Sequence, residues 1–345
     1  MEYAHITNLF TFAAREIENS PMNLIESIKK TIKPELELFD KTLVSSLETD
    51  NPILEGVNGY IFQRAGKKLR PMLVILATKL IGEVNMSTIH GAIALELLHT
   101  ASLVHDDVID DTYERRGSQS VNARWGNKVA VLSGDYMLSG ALLQVAKTKN
   151  IDILKAVSFI GMQLSDGELL QLSSTQQAKI SETEYFRIIQ KKTAYLFSVC
   201  TEVGALSVNA DNESIEHLKK YGEYLGFCFQ IKDDIFDYYQ DANIGKPTGN
   251  DLRDGKVTLP LIYALKHANK EEKEKIITWI NLKDFTRDNI DYITKFALEN
   301  GGVEYAENRM EEYKKKAIEE LNSFADGEIK SALIACAEFA VTRVK

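Results

Sequence analysis

Apolar residues recur at helical spacing through most of this 345-residue chain. The pattern predicts helices over about 22–48, 53–65, 88–110, 127–147, 152–172, 182–208, 215–240, 259–268, 288–299, 303–322 and 326–343. No strand alternation and no β-hairpin signal interrupt them. Prolines occur at Pro21, Pro34, Pro52, Pro71, Pro247 and Pro260. The long interval between Pro71 and Pro247 is therefore free for a helical array. Pro71 near its start and Gly82 past its end bound one helix. Ser87 and Ser214 are the candidate N-caps of two others. The fold class expected is all-α. No Gly/Ser/Pro-rich linker divides the chain, so residues 21–345 read as one domain. Residues 1–20 read as an N-terminal extension, expected to be helical.

Composition narrows the possible functions. An apolar fraction of 44% supports a sizeable core, and a net charge of −9 argues against general nucleic-acid binding. An anionic substrate then needs a local basic patch or metal ions. Cys200, Cys228 and Cys336 are widely spaced and form no metal-ligand pattern, as expected of reduced thiols in an intracellular protein. The longest apolar runs, such as Pro71 to Ala77, are too short to span a bilayer. The start of the chain lacks a basic flank followed by an apolar run. A cytosolic protein without an integral membrane segment is the expectation.

Two acidic clusters carry the chemistry: Asp106-Asp107-Val108-Ile109-Asp110 and Asp233-Asp234-Ile235-Phe236-Asp237. Both read D-D-x-x-D and both lie at the end of an apolar helical stretch. Residues four apart share a helix face, so each cluster aims at least two carboxylates the same way. That crowding repels unless cations intervene. Hard oxygen ligands with no His and Cys set to complete a soft site favour Mg²⁺, and Mg²⁺ held by few carboxylates keeps room for phosphate. Basic groups recur near these clusters. Gly66-Lys67-Lys68-Leu69-Arg70-Pro71 is a cationic turn opening a helix, where backbone amides also meet anions. Arg115-Arg116-Gly117 suits bidentate phosphate binding, or else salt bridges to Asp110 or Asp111. Gly245-Lys246-Pro247 and Gly255-Lys256 follow the second cluster in a polar stretch.

With these pieces in order, the chain resembles the trans-type isoprenyl diphosphate synthases of the polyprenyl synthetase family. Further motifs carry the likeness: Glu96-Leu97-Leu98-His99, Gly167-Glu168-Leu169-Leu170-Gln171, Lys192-Thr193-Ala194 and Phe229-Gln230-Ile231-Lys232. The resemblance implies a single-domain bundle of antiparallel helices around a central cavity. It implies that Asp106, Asp110 and Asp233 ligate Mg²⁺, with Asp107, Asp234 and Asp237 in support, in a cluster of about three ions once substrate is bound. Arg115, Lys192 and Lys256 would help hold an allylic diphosphate, and Lys246 is a further candidate substrate-binding lysine. Lys67, Arg70, His99 and Arg116 would hold isopentenyl diphosphate. Thr193, Gln171 and Gln230 would orient reacting atoms or face developing positive charge. The reaction implied is repeated head-to-tail condensation with release of diphosphate, by a homodimer whose product is delivered to a membrane.

Product length is read from the residues just before the first cluster. Ala101 and Ser102 sit roughly 6–7.5 Å below Asp106 along the helix. In this family bulky aromatics there stop elongation; here both residues are small. Small residues also simply allow close helix packing. Leu98 and, on another wall, Val157 are the next candidate floors. The expectation is an all-trans product longer than C20, about C30–C40 at one isoprene unit per helical turn, of the kind that becomes a quinone side chain. The alternatives are a shorter geranylgeranyl or farnesyl diphosphate synthase, a terpene cyclase, and a non-catalytic partner subunit. A cyclase has no need of Lys67, Arg70 and His99, and a non-catalytic relative loses ligands that are all present here.

Overall fold

The computed structural model describes residues 21–63, 66–115, 117–176, 181–239 and 249–343. The expected N-terminal extension, Arg116 and Lys246 lie outside the described residues. Among the described residues the fold is all-α apart from one two-residue strand pair, and the chain falls into two compact units.

The first unit takes the chain up to Gly161, together with Phe197–Lys219 and Leu321–Cys336. It opens with α1 (Pro21–Thr31), α2 (Lys33–Ser46), α3 (Pro52–Gln63) and α4 (Leu69–Ile81). The single helix expected over 22–48 breaks at Ile32. Pro34 stands in the first turn of the second piece, where it has no N–H to continue the ladder and its ring crowds the preceding turn. The central helix is α5 (Met86–Ile109), which packs most extensively against α7 (Asn127–Thr148). Asn85, not Ser87, caps α5: its side chain accepts from the Ser87 and Thr88 amides, and Thr88 Oγ1 returns a bond to the Asn85 amide. In this reciprocal pair the Asn85 amide donates and Thr88 Oγ1 accepts, so both side chains satisfy backbone donors that a helix start leaves open. A Cβ on Gly134 of α7 would run into the His105 ring, so glycine lets these two helices meet.

Between α5 and α7 the chain forms an unexpected ribbon, β1 (Glu114–Arg115) against β2 (Ser118–Gln119), and then a short helix α6 (Val121–Trp125). Two residues per strand are too few to show alternation in a sequence. Gly117 takes φ +72° in the turn, a conformation glycine adopts without a Cβ penalty.

α7 also amends the expectation about membranes. By length and composition alone it is apolar enough to cross one. Its Ser133, Gly134, Met137 and Ala141 are buried against its own unit, whereas Val131, Leu132, Leu142 and Leu143 are exposed.

The second unit takes Met162–Leu196, Lys220–Glu320 and the chain from Ala337. It draws on α8 (Ile151–Gln176), α9 (Glu182–Ile189), α10 (Tyr195–Leu206) and α11 (Asn212–Phe236). One continuous helix was expected over 182–208. Instead Gln190–Ala194 forms a π-helical turn between α9 and α10, a local widening that recurs at functional sites. The start of α11 is capped by Asp211, whose carboxylate accepts from the Ser214 amide and hydroxyl, so Ser214 lies inside the first turn. After α12 (Asn250–Arg253) and α13 (Leu259–His267) comes α14 (Lys270–Leu282), which the sequence reading missed. Its charged surface shows only a narrow apolar stripe, with Ile276 and Ile280 buried. α15 (Arg287–Glu299), α16 (Gly302–Glu320) and α17 (Glu328–Thr342) complete the chain.

Candidate active site

α5 is buried on nearly every side. From Gly91 on, apart from His105, Val108 and Ile109, the residues that stay partly open lie along one line: Glu96, His99, Ser102, Leu103 and Asp106, continuing to the exposed Asp110 just past its end. These are steps of three and four residues, one face of a helix. The stripe therefore links the candidate isopentenyl residue His99 to the candidate metal ligands Asp106 and Asp110. Ser102 is on it. Ala101 is off it, with no exposed surface, and Leu98 is 6% exposed. Val157 is buried too, while a Cβ on Gly161 would come within 3.6 Å of Leu98 Cδ1.

The two neighbouring carboxylates of the first cluster behave differently. Asp107 is buried, and Arg115 grips it through Nε at 2.9 and 3.0 Å and Nη2 at 2.7 Å. The ion pair of Arg115 is thus with Asp107 rather than Asp110 or Asp111. This fork-to-fork geometry is the strong form of an arginine–carboxylate contact. It fixes the loop that follows the cluster, and Asn122 adds a bond to the Asp107 carbonyl. In the cationic turn Lys68 adopts φ 59° and bonds Asp40 at 2.6 Å, while Lys67 is exposed. Arg70 lies with its guanidinium carbon 5.5 Å from the Phe197 ring centre.

The second unit holds the other candidate residues in a connected polar network. Thr193 Oγ1 donates to Gln230 Oε1 at 2.7 Å, Gln230 Nε2 donates to Asp234 Oδ1 at 2.8 Å, and the Tyr185 hydroxyl donates to Asp234 Oδ2 at 2.6 Å. Gly226 lets the π-helical turn approach: its Cβ would fall 2.5 Å from Ala194 Cα. Lys192, beside Thr193, bonds Glu168 at 2.5 Å and Gln171 at 3.1 Å. Asp237 accepts the Asn250 and Asp251 amides, both at 3.0 Å, at the start of α12. Lys256 pairs with Asp254 at 3.1 Å.

Asp233 is the open carboxylate of this cluster, with 43% of its side chain exposed, and Arg343 reaches it at 2.9 Å. Burial, reinforced by the charge of Asp251, pushes the Asp234 carboxyl well above the usual range. Burial and the neighbouring Asp234 do the same to the Tyr185 hydroxyl. Burial, with Asp237 close by, raises Asp251 to about 6. Tyr185 and Asp251 were not anticipated from the sequence. Tyr185 gives no linear signal, being one aromatic on an amphipathic helix. Asp251 does lie in a short acidic stretch ahead of Lys256 that repays attention.

The first two aspartates divide in the same way in both clusters, the first accessible and the second buried, whereas the third is exposed in one cluster and buried in the other. Asp106, Asp110 and Asp233 reach solvent, whereas Asp107, Asp234 and Asp237 are buried, with their oxygens in protein hydrogen bonds; Asp233 is also paired, with Arg343.

Residues 51–296 match the family model for polyprenyl synthetase. The chain is 34% identical over 320 residues to an octaprenyl diphosphate synthase of Haemophilus influenzae, covering 92% of this chain and 97% of that one. It superposes on a decaprenyl diphosphate synthase from Rhodobacter capsulatus with a TM-score of 0.88 at 30% identity, covering 93% and 99% of the two chains. A geranylgeranyl pyrophosphate synthase from Bacteroides thetaiotaomicron matches with a TM-score of 0.82 at 42% identity, covering 93% and 100%. The all-helical units, the paired acidic clusters and a family match over most of the sequence agree: this chain belongs to the polyprenyl synthetase family of prenyltransferases.

Proposed function

We propose that this chain condenses isopentenyl diphosphate repeatedly onto an allylic diphosphate, releasing diphosphate and making an all-trans polyprenyl diphosphate longer than C20. The observation that carries this reading is that each acidic cluster keeps its first aspartate accessible to solvent and buries its second. Asp106, Asp110 and Asp233 are where a cation can meet the clusters, and Asp107, Asp234 and Asp237 brace the site. Asp106 and Asp110 are one turn apart and both reach solvent, which fits a hard cation held by few protein oxygens. Among the described residues no three His, Cys, Asp or Glu side chains form a ready cage; the remaining ligands would come from diphosphate and water.

Mg²⁺ held by Asp106, Asp110 and Asp233 would neutralise charge on the allylic diphosphate as its C–O bond breaks. Lys192 and Lys256 stabilise the same leaving group, and Arg115 offers its remaining nitrogen while bracing Asp107. Lys67, Arg70, His99 and Arg116 bind the second diphosphate. Thr193 uses its proton on Gln230, so lone pairs of its oxygen and of the amide oxygen are left to face a carbocation. The double bond of isopentenyl diphosphate attacks C1 of that cation, one C–C bond forms, and the released diphosphate takes the proton.

The small Ser102 on the open stripe of α5 supports a long product, as do relatives named for octaprenyl and decaprenyl products. The relative named for a geranylgeranyl product, at 42% identity, favours a shorter one and is the second reading. Incubating the purified protein with farnesyl diphosphate, labelled isopentenyl diphosphate and Mg²⁺, then sizing the products, separates them. Products longer than C20 are expected; a series that stops at C20 selects the second reading.

We also propose a homodimer. Val131, Leu132, Leu142 and Leu143 on α7, and Ile151, Leu154 and Phe159 at the start of α8, are all exposed apolar residues of the first unit. This many exposed apolar side chains on two successive helices are costly in water and suit a protein interface. Sedimentation equilibrium tests it, and a monomer at micromolar concentration removes the proposal.

A further inference from the structure

Arg343, the residue after α17, is bound in the second acidic cluster. Its Nη2 donates to the Phe229 carbonyl at 2.8 Å and reaches Asp233 Oδ1 at 2.9 Å. Its guanidinium carbon lies 3.8 Å from the centre of the Phe229 ring and 5.4 Å from that of Phe236. Only 10% of its side chain is exposed. The group is therefore desolvated, stacked and paired at once. Its Nε is buried without a hydrogen-bond partner, and an unmet buried donor costs free energy. The seat of Arg343 is a compromise rather than a fully satisfied one.

Asp233 is the open carboxylate of its cluster. A guanidinium and a divalent ion bind such a carboxylate through the same oxygens, and each excludes part of the other's contact. We infer that Arg343 is a built-in competitor of the divalent cation at Asp233, so that metal–diphosphate binding is opposed by the Arg343 guanidinium and favours its withdrawal from Asp233. The inference rests on the reading of Asp233 as a metal ligand. It adds a coupling: loading of the second cluster and withdrawal of the Arg343 side chain are linked, because Arg343 occupies Asp233 Oδ1 and its charge repels a divalent ion at the same carboxylate.

The test is binding of Mn²⁺ with inorganic diphosphate, read by electron paramagnetic resonance of free Mn²⁺, which needs no turnover. Arg343→Gln should bind the pair roughly 3- to 10-fold more tightly than the parent, the scale of one partly exposed ion pair. Arg343→Lys keeps the charge but loses the planar fork, and should shift binding in the same direction by about twofold; it decides the matter should the glutamine variant fail to fold. Asp233→Asn should weaken binding. If both Arg343 variants bind as the parent does, or more weakly, while Asp233→Asn weakens binding, competition is refuted and the metal role of Asp233 stands. If Asp233→Asn leaves binding unchanged, the metal role falls, and the competition with it.

Discussion

Thr193 Oγ1 donates to Gln230 Oε1 across 2.7 Å, and this bond depends on a carboxylate that Thr193 itself does not touch. Gln230 turns its Nε2 to Asp234, so its oxygen faces Thr193. Asp234 is in turn held by Tyr185. Tyr185→Phe removes that last donor and leaves one buried carboxylate oxygen unmet. We expect kcat to fall on the order of tenfold with KM for isopentenyl diphosphate unchanged, and Tm to drop by about 2–4 °C. Steady-state kinetics beside a thermal melt check both; a change confined to Tm would mean that Tyr185 only supports the fold.

Neighbouring aspartates should give opposite phenotypes. Asp107→Asn takes the charge partner from Arg115 at a buried position and should destabilise the protein by about 2 kcal/mol in urea unfolding. Asp106→Asn and Asp110→Asn alter open side chains. They should leave unfolding nearly unchanged while lowering activity roughly 10²-fold.

Ser102 and Ala101, adjacent in sequence, should also part ways. Ser102→Phe places a ring on the open stripe of α5 and should shorten the product, with the first condensation intact. Ala101 has no exposed surface, so Ala101→Phe overpacks the core at a cost of about 1–3 kcal/mol and should express poorly. Product sizing and melting curves of the two variants give the comparison.

Asp251 predicts a pH dependence. Burial and Asp237 raise its carboxyl to about 6, above the usual carboxylate range, so the folded protein holds this proton more tightly than the unfolded chain. The stability it contributes is full below the usual carboxylate range and is lost as pH rises through about 6. Asp251→Asn should therefore melt higher than the parent at pH 8, with the difference vanishing near pH 4. Parallel melts across that range decide it.

All three cysteines are buried and free. Burial raises the Cys200 and Cys336 thiols to about 12 and pushes Cys228 higher still. Little thiolate exists at neutral pH, so a disulfide reagent should leave them unmodified in the native protein and modify all three after denaturation.

The helical class was legible because apolar spacing repeats over tens of residues, and a local error does not erase it. Boundaries were less so. Ser87 and Ser214 read as caps, yet Asn85 and Asp211 take that place, because several nearby polar side chains can reach the same backbone amides. α14 escaped because its buried stripe is only a few residues wide. The β1–β2 ribbon and the π-helical turn escaped because neither has a period.

The sequence by itself determined the residue types that the chemistry needs and their spacing: two D-D-x-x-D clusters at helix ends, a basic turn, and His99 two turns before Asp106. Spacing along a helix is local geometry, so no other part of the chain can alter it. Only the tertiary structure decided which member of each cluster stays open. Asp107 is closed by Arg115, Asp234 by Tyr185 and Gln230, and Asp237 by the amides of α12, whereas Asp233 meets a guanidinium 110 residues further on. A carboxylate's availability depends on which distant donors arrive beside it, and that is fixed by packing, not by the order of residues.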